Sequence, residues 1–127
     1  MLGPTMTTGR LPTIRELVAT LAQRDGVDAV VLLGRDGMVI DGRAHGGLDL
    51  EPVAAHVPPL AAAAGELSAT SGRGALVTAV LEYERGYAVI TTLAADAVLV
   101  VLVHPLANLG ALIADLRRHR GNIASII

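Results

Sequence analysis

The chain has 127 residues, which is enough for one domain with its own core and too few for two. Hydrophobic residues make up 52% of it, yet Phe and Trp are absent, so Leu, Val, Ile and Ala must build the core. The net charge of −2 offers no basic surface for nucleic acid, and the lack of Cys excludes disulfides, a thiolate nucleophile and a Cys-based zinc site. So apolar a chain of this size is expected to bury further surface against a partner.

The first ten residues contain Gly, Pro and Thr without hydrophobic periodicity. We predict a flexible tail over residues 1–10 and a single domain over residues 11–127. No signal peptide is visible, and the longest uncharged run, 97–114, is broken by Pro105, Asn108 and Gly110. We therefore expect a cytoplasmic protein without membrane insertion.

The first helix is predicted to begin at Thr13, because Thr13 and Glu16 have the spacing of a capping box. Its apolar face has the i, i+3, i+4, i+7 spacing of an amphipathic helix: Ile14, Leu17, Val18 and Leu21. Asp25 and Gly26 are expected to end it.

A hairpin follows. Residues 27–33 are almost continuously apolar and predict a central strand, while 34–37 contain the Asp-Gly pair typical of a hairpin turn. Residues 38–42 predict a short strand whose polar end suits a sheet edge, and the two glycines of 43–47 indicate a flexible loop.

The second helix is predicted to start at Asp49 or Leu50, with Glu51 and Pro52 in its first turn. Helical spacing assigns its core face to Val53, Val57, Leu60, Ala64 and Leu67. The opposite stripe is almost entirely small: Ala55, Pro59, Ala62, Glu66 and Ala69. Because Pro58 and Pro59 remove two backbone donors, a kink or break is expected there.

Residues 74–103 predict a three-stranded meander. Residues 75–84 alternate between two faces, 85–86 form a turn, and 87–92 return as a strand rich in β-branched residues. A turn at 94–96 leads to 98–103, which is apolar at every position and therefore belongs in the middle of the sheet.

The last helix is expected to open at Pro105 and to end or weaken at Gly121. Its inward residues are predicted to be Leu106, Leu109, Leu112, Ile113 and Leu116. The element order α-β-β-α-β-β-β-α predicts an α/β sandwich of the α+β class, with one five-stranded antiparallel sheet and helices on both faces.

The sequence contains no group of residues with the spacing of a known catalytic or metal site. His45, His56, His104 and His119 lack the spacing of metal ligands, so no metal is predicted. Glu82 and Glu84 are paired carboxylates on one strand face. We favour the interpretation that their charges protect a sheet edge over the alternative of a general acid and base. The glycine-rich turns lack a phosphate-binding lysine. Exposed arginines such as Arg43, Arg73 and Arg85 are interpreted as solubilising rather than as arginine fingers. We predict a protein that is not an enzyme and needs no cofactor.

The hairpin Val30–Ile40, with its Leu, Asp and Gly positions, resembles the first hairpin of the roadblock/dynein-light-chain family. The Ala-rich segment 53–69, the meander and the Asn108–Leu112 helix start match the rest of that family's pattern. The resemblance covers residues 11–127 and points to the stand-alone prokaryotic members, similar to the regulators of small Ras-like GTPases in polarity and gliding motility.

The resemblance implies a homodimer that pairs through the strand that opens the meander, giving a ten-stranded sheet with the two second helices side by side. The implied dimer interface is Leu76, Val77, Thr78, Ala79, Val80, Leu81 and Glu82. The implied partner-binding surface is Ala55, Pro59, Ala62 and Glu66, where small residues leave a shallow platform for a GTPase.

The predicted function is therefore a non-enzymatic homodimeric signalling module that binds and regulates a small Ras-like GTPase, by activating it or arranging its switch loops. One alternative is a homodimeric scaffold or adaptor without effect on nucleotide turnover. A small-molecule sensor is less favoured, because the central strands offer almost no polar groups for a ligand pocket.

Overall fold

The computed structural model describes residues 13–93 and 96–125, with side chains described as far as residue 121. The predicted tail, residues 1–10, and Ala94 and Ala95 of the predicted 94–96 turn lie outside the described residues. In chain order the elements are α1 (Ile14–Ala22), β1 (Val27–Gly34), β2 (Val39–Ala44), α2 (Leu50–Ala55), α3 (Val57–Thr70), β3 (Thr78–Tyr83), β4 (Gly86–Leu93), β5 (Ala97–Val103) and α4 (Leu109–Ser125).

The five strands form one antiparallel sheet in the order β2-β1-β5-β4-β3. β5 lies in the middle, where Val101 is aligned with Val30 of β1 and with Val89 of β4. The predicted sheet, its antiparallel pairing and the central place of the all-apolar strand are confirmed. β2 and β3 are the two edges.

One face of the sheet carries α1 and α4. Val18 and Ala22 of α1 and Leu112 and Leu116 of α4 pack on alternate residues of the central strands, and all four are buried. α1 begins as predicted, since the Thr13 hydroxyl accepts from the Glu16 amide and the Glu16 carboxylate accepts from the Thr13 amide.

The other face carries α2 and α3 over a smaller core. Ala54 and Val57 pack against Val31, Leu33 and Ile90, which point to this side because side chains alternate along a strand. The sheet is therefore sandwiched between helices on both faces, as predicted.

The predicted second helix is two helices. α2 ends at Ala55 and α3 begins at Val57, so Pro58 and Pro59 lie in the first turn of α3, where no intrahelical donor is needed. The expected break is confirmed, and it falls just before the proline pair.

The prediction for the start of the last helix was wrong. Pro105 and Leu106 lie in a turn, Leu106 is 88% exposed rather than inward, and α4 begins at Leu109. The Asn108 side chain accepts from the Ala111 amide at 3.1 Å and so caps the helix. Gly121 does not end α4, which continues to Ser125.

Among the helices that the structure describes, none combines the length and the apolar character needed to cross a lipid bilayer.

Candidate interaction surfaces

The strand β3 forms one edge of the sheet and contains most of the residues predicted for self-association. Thr78, Ala79, Val80, Leu81 and Glu82 lie in it, while Leu76 and Val77 lead into it. Val77 and Val80 are 42% and 41% exposed, which is unusual for valine in or beside a strand. The structure thus brings all seven predicted residues to one sheet edge.

The hydrogen-bond pattern shows which groups of β3 point outward. The Thr92 amide donates to the Val77 carbonyl at 3.0 Å, and Thr78 is aligned with Thr91 in the next position. Because bonded and non-bonded pairs alternate in an antiparallel ladder, Ala79 and Leu81 direct their backbone groups toward β4. Thr78, Val80 and Glu82 therefore direct theirs away from the sheet.

The opposite edge, β2, is irregular and less suited to a further strand. A bulge interrupts the β1–β2 register at Ile40, between Asp41 and Val39. The Asp41 carboxylate accepts from the Gly42 amide at 2.8 Å, so this edge amide is already bonded. Natural sheets protect edges with such bulges and charges, and no comparable irregularity interrupts the β3–β4 register. Sequence reasoning missed this difference between the two edges, because a side chain that bonds the next backbone amide leaves no repeating pattern in the sequence.

The stripe predicted to bind a partner is exposed at all four positions. Pro59, Ala62 and Glu66 follow one another at i, i+3 and i+7 on α3, and Ala55 closes the preceding helix α2. The break at His56 therefore separates Ala55 from the other three, although all four lie on the same side of the sheet.

The predicted core face of α3 was partly wrong. Val57 is buried, but Leu60 is exposed and Leu67 is 71% exposed. The half-buried residues of α3 are instead small: Pro58, Ala61, Ala64, Gly65 and Ser68. A run of Ala and Gly shows almost no contrast between an apolar and a polar face. The predicted inward face therefore depended on the two leucines, and it was placed on the wrong side of the helix.

A cavity of about 310 Å³ lies between α3 and the ends of β4 and β5. Pro58, Ala61 and Ala62 form its helical wall, and Arg35 and Asp96 stand at the other side. These two charges bind each other, with 2.9 Å between Arg35 Nη2 and Asp96 Oδ1. The cavity is at the lower limit of ligand pockets and its charged groups are already paired, so it gives the sensor alternative no support.

The residues considered for catalysis are not assembled into a site. Glu82 and Glu84 are exposed, and the Tyr87 hydroxyl donates to Glu82 Oε2 at a long 3.5 Å. Within residues 13–93 and 96–125, no three His, Asp or Glu side chains come together in a way that would hold a metal ion.

A small antiparallel sheet with helices on both faces defines a fold of the α+β class. The Roadblock/LC7 domain matches residues 13–103, and the chain belongs to the Roadblock/LC7 family. The predicted family is confirmed.

One curated protein and two solved structures illustrate what the chain is similar to. The uncharacterized protein MJ1340 of Methanocaldococcus jannaschii is 30% identical over 105 residues, which are 83% of this chain and 91% of MJ1340. The gliding protein MglB from Thermus thermophilus has a TM-score of 0.77 at 22% identity and covers 88% of this chain and 86% of its own. A Roadblock/LC7 domain from Streptomyces avermitilis has a TM-score of 0.76 at 22% identity, covering 91% and 95%. At such identities the solved structures establish the shared fold.

Proposed function

We propose that this chain is a non-enzymatic module that forms a homodimer through β3 and, as a dimer, binds and regulates a small Ras-like GTPase. The observation that carries the proposal is the asymmetry of the two sheet edges. The β3 edge presents the outward backbone groups of Thr78, Val80 and Glu82, whereas β2 has a bulge at Ile40 and a Gly42 amide already bonded to Asp41.

Antiparallel pairing of two β3 strands makes the proposed dimer symmetric, because the same edge serves both copies. Each outward amide of one strand then meets an outward carbonyl of the other. The pairing also brings the exposed Leu60 and Leu67 of two α3 helices to the same side of the joined sheet. Burial of these leucines would contribute free energy that backbone hydrogen bonds alone do not supply.

The GTPase part of the proposal is supported by the resemblance to regulators of Ras-like GTPases. Pro59, Ala62 and Glu66 give it a surface, since they form an exposed, weakly polar stripe on α3. Exposed patches of this kind commonly mark binding sites. We propose that the dimer arranges the switch loops of the GTPase and leaves the chemistry to the GTPase itself.

The test uses Ala62→Arg, with Ala114→Arg as the matched control at an exposed position of α4, on the other face of the sheet. Light scattering gives the oligomeric state, and titration gives the affinity for a small Ras-like GTPase from the same genome, loaded with GDP or with a non-hydrolysable GTP analogue. We expect Ala62→Arg to abolish GTPase binding while the dimer persists, and Ala114→Arg to change neither.

Other outcomes contradict parts of the proposal. Loss of the dimer in Ala62→Arg would show that the stripe is buried between two α3 helices. A dimer that still binds normally would place the GTPase surface elsewhere. Binding without any effect on hydrolysis or exchange would identify a scaffold, and a wild-type monomer at micromolar concentration would reject the homodimer.

A further inference from the structure

Arg120, in the last helix α4, donates two hydrogen bonds to a single residue of β4. Its Nε donates to the Thr92 carbonyl oxygen at 2.6 Å, and its Nη2 donates to the Thr92 hydroxyl at 3.0 Å. The contact is partly buried, and a charged donor makes such hydrogen bonds stronger than neutral ones.

Thr92 in turn donates hydrogen bonds to the segment that leads into β3. Its hydroxyl donates to the Leu76 carbonyl at 2.6 Å, and its amide donates to the Val77 carbonyl at 3.0 Å. A hydroxyl has one proton, so giving it to Leu76 leaves the oxygen free to accept from Arg120. The bonds therefore run in one direction, from guanidinium to hydroxyl to carbonyl, an arrangement in which each bond polarises the next.

The position of this chain of bonds is the end of the β3–β4 ladder. Thr78 and Thr91 are the last aligned pair, and Val77 and Thr92 come next. In a regular ladder the Thr92 carbonyl would accept from the amide of the residue opposite. Here Arg120 Nε supplies the donor, so a side chain of α4 completes the ladder where β3 begins.

We propose that Arg120 is a positioning residue for self-association: through Thr92 it fixes Leu76 and Val77 and thereby holds the first residues of the β3 edge in line for pairing. This inference rests on the proposed homodimer. A strand end that frays must be ordered at the moment of association, and fixing it beforehand removes that cost.

The chain offers matched controls for both partners of the contact. Arg117 lies on the same helix and is exposed, so Arg117→Gln controls for the charge lost in Arg120→Gln. Thr91 is 1% exposed, and its hydroxyl has no hydrogen-bond partner among the described protein atoms. Thr91→Val therefore controls for Thr92→Val, with the same change of atoms and no bond to lose.

The experiment measures amide hydrogen exchange by NMR and the dimer dissociation constant by sedimentation. We expect Arg120→Gln and Thr92→Val to accelerate exchange of the residue 92 amide by roughly tenfold and to weaken the dimer by a similar factor. The Val101 amide, in the middle of the sheet, reports that the fold is retained. Arg117→Gln and Thr91→Val should match the wild type in both measurements.

Two results would overturn the inference while leaving the proposed homodimer standing. The residue 92 amide could exchange at the wild-type rate in Arg120→Gln, or exchange could accelerate without any change in the dimer. A wild-type chain that sediments as a monomer would instead reject the homodimer itself, and the role of Arg120 in self-association would fall with it.

Discussion

Arg24 Nη1 lies 2.6 Å from Asp115 Oδ2, and this ion pair joins the segment after α1 to the middle of α4. Both helices lie on the same face of the sheet, where they cover the larger core. Arg118 also donates to Asp115, at 2.9 Å, so one carboxylate accepts from two guanidinium groups. The pair ties together two elements that are far apart in the sequence.

This geometry predicts a pH dependence of stability. The hydrogen bond from Arg24, together with the charges of Arg24 and Arg118, lowers the pKa of Asp115 below its ordinary value of 3.8, although desolvation partly opposes the shift. A lowered pKa means that the ionised carboxylate stabilises the fold above pH 3.8, and that this stabilisation is lost as the pH falls through the lower folded-state pKa. We therefore expect Asp115→Asn to lower Tm at neutral pH.

Thermal melts from neutral pH down to about pH 2.5 check this expectation. The Tm difference between Asp115→Asn and wild type should shrink as the pH falls below 3.8. Asp25→Asn removes an exposed negative charge near Arg24 and serves as the control. A Tm difference that stays constant down to the lowest pH would contradict the assignment.

Two neighbouring proline substitutions should separate pairing from folding. Val80 directs its amide outward, so Val80→Pro removes a donor from the open edge without removing a bond to β4. Leu81 directs its amide toward Ala88, so Leu81→Pro breaks the ladder and should cost about 2 kcal/mol or more of folding free energy. We expect Val80→Pro to be a folded monomer by circular dichroism and light scattering, and Leu81→Pro to be much less stable. A dimeric Val80→Pro would show that β3 is not the pairing edge.

Two glycines should respond to alanine in opposite directions. Gly86 has φ +150°, and a Cβ there would clash with the Val103 carbonyl oxygen, so Gly86→Ala should destabilise by about 2 kcal/mol. Gly121 lies within α4, and a Cβ would meet no atom within 4 Å. Gly121→Ala should therefore stabilise by about 0.5–1 kcal/mol through helix propensity. Urea unfolding measures both changes, and a destabilised Gly121→Ala would mean that the helix does not continue through residue 121.

Two exposed leucines test whether α3 is buried in the proposed dimer. Leu67 is 71% exposed and Leu106 is 88% exposed, so replacing either with Gln should change protomer stability by no more than about 0.5 kcal/mol. If the α3 helices of two copies meet, Leu67→Gln weakens the dimer and Leu106→Gln does not. Equal dissociation constants for the two variants would place α3 outside the interface.

The features predicted correctly from the sequence were those for which one physical cause explains the residue pattern. Residues 98–103 have no polar face, and only a strand buried on both sides tolerates that composition, so the central position of β5 could be predicted. The capping box at Thr13 and the Asp-Gly turn at residues 36–37 were equally specific, because each supplies a named hydrogen bond or a positive φ.

The predictions failed for features that depend on individual side-chain contacts rather than on the periodicity of hydrophobic residues. Leu60 and Leu67 were assigned to the core because they share helical spacing with Val57, but both are exposed and the half-buried residues of α3 are small. The Arg120–Thr92 contact spans 28 positions and the Asp41–Gly42 contact only one, and neither follows a repeating pattern. The sequence alone therefore indicated an edge in β3 without indicating why β2 should not serve equally well.

The self-bonded Gly42 amide and the bulge beside it have a consequence for assembly size. A sheet that can be joined on both sides is a bifunctional monomer and can grow without limit, as fibrils do. If two copies pair through β3 as proposed, and the bulge and the bonded Gly42 amide keep a further strand from β2, the chain is monofunctional with respect to strand pairing. In the proposed dimer Asp41 would then act as a chain terminator, and strand pairing would stop at a degree of polymerisation of two.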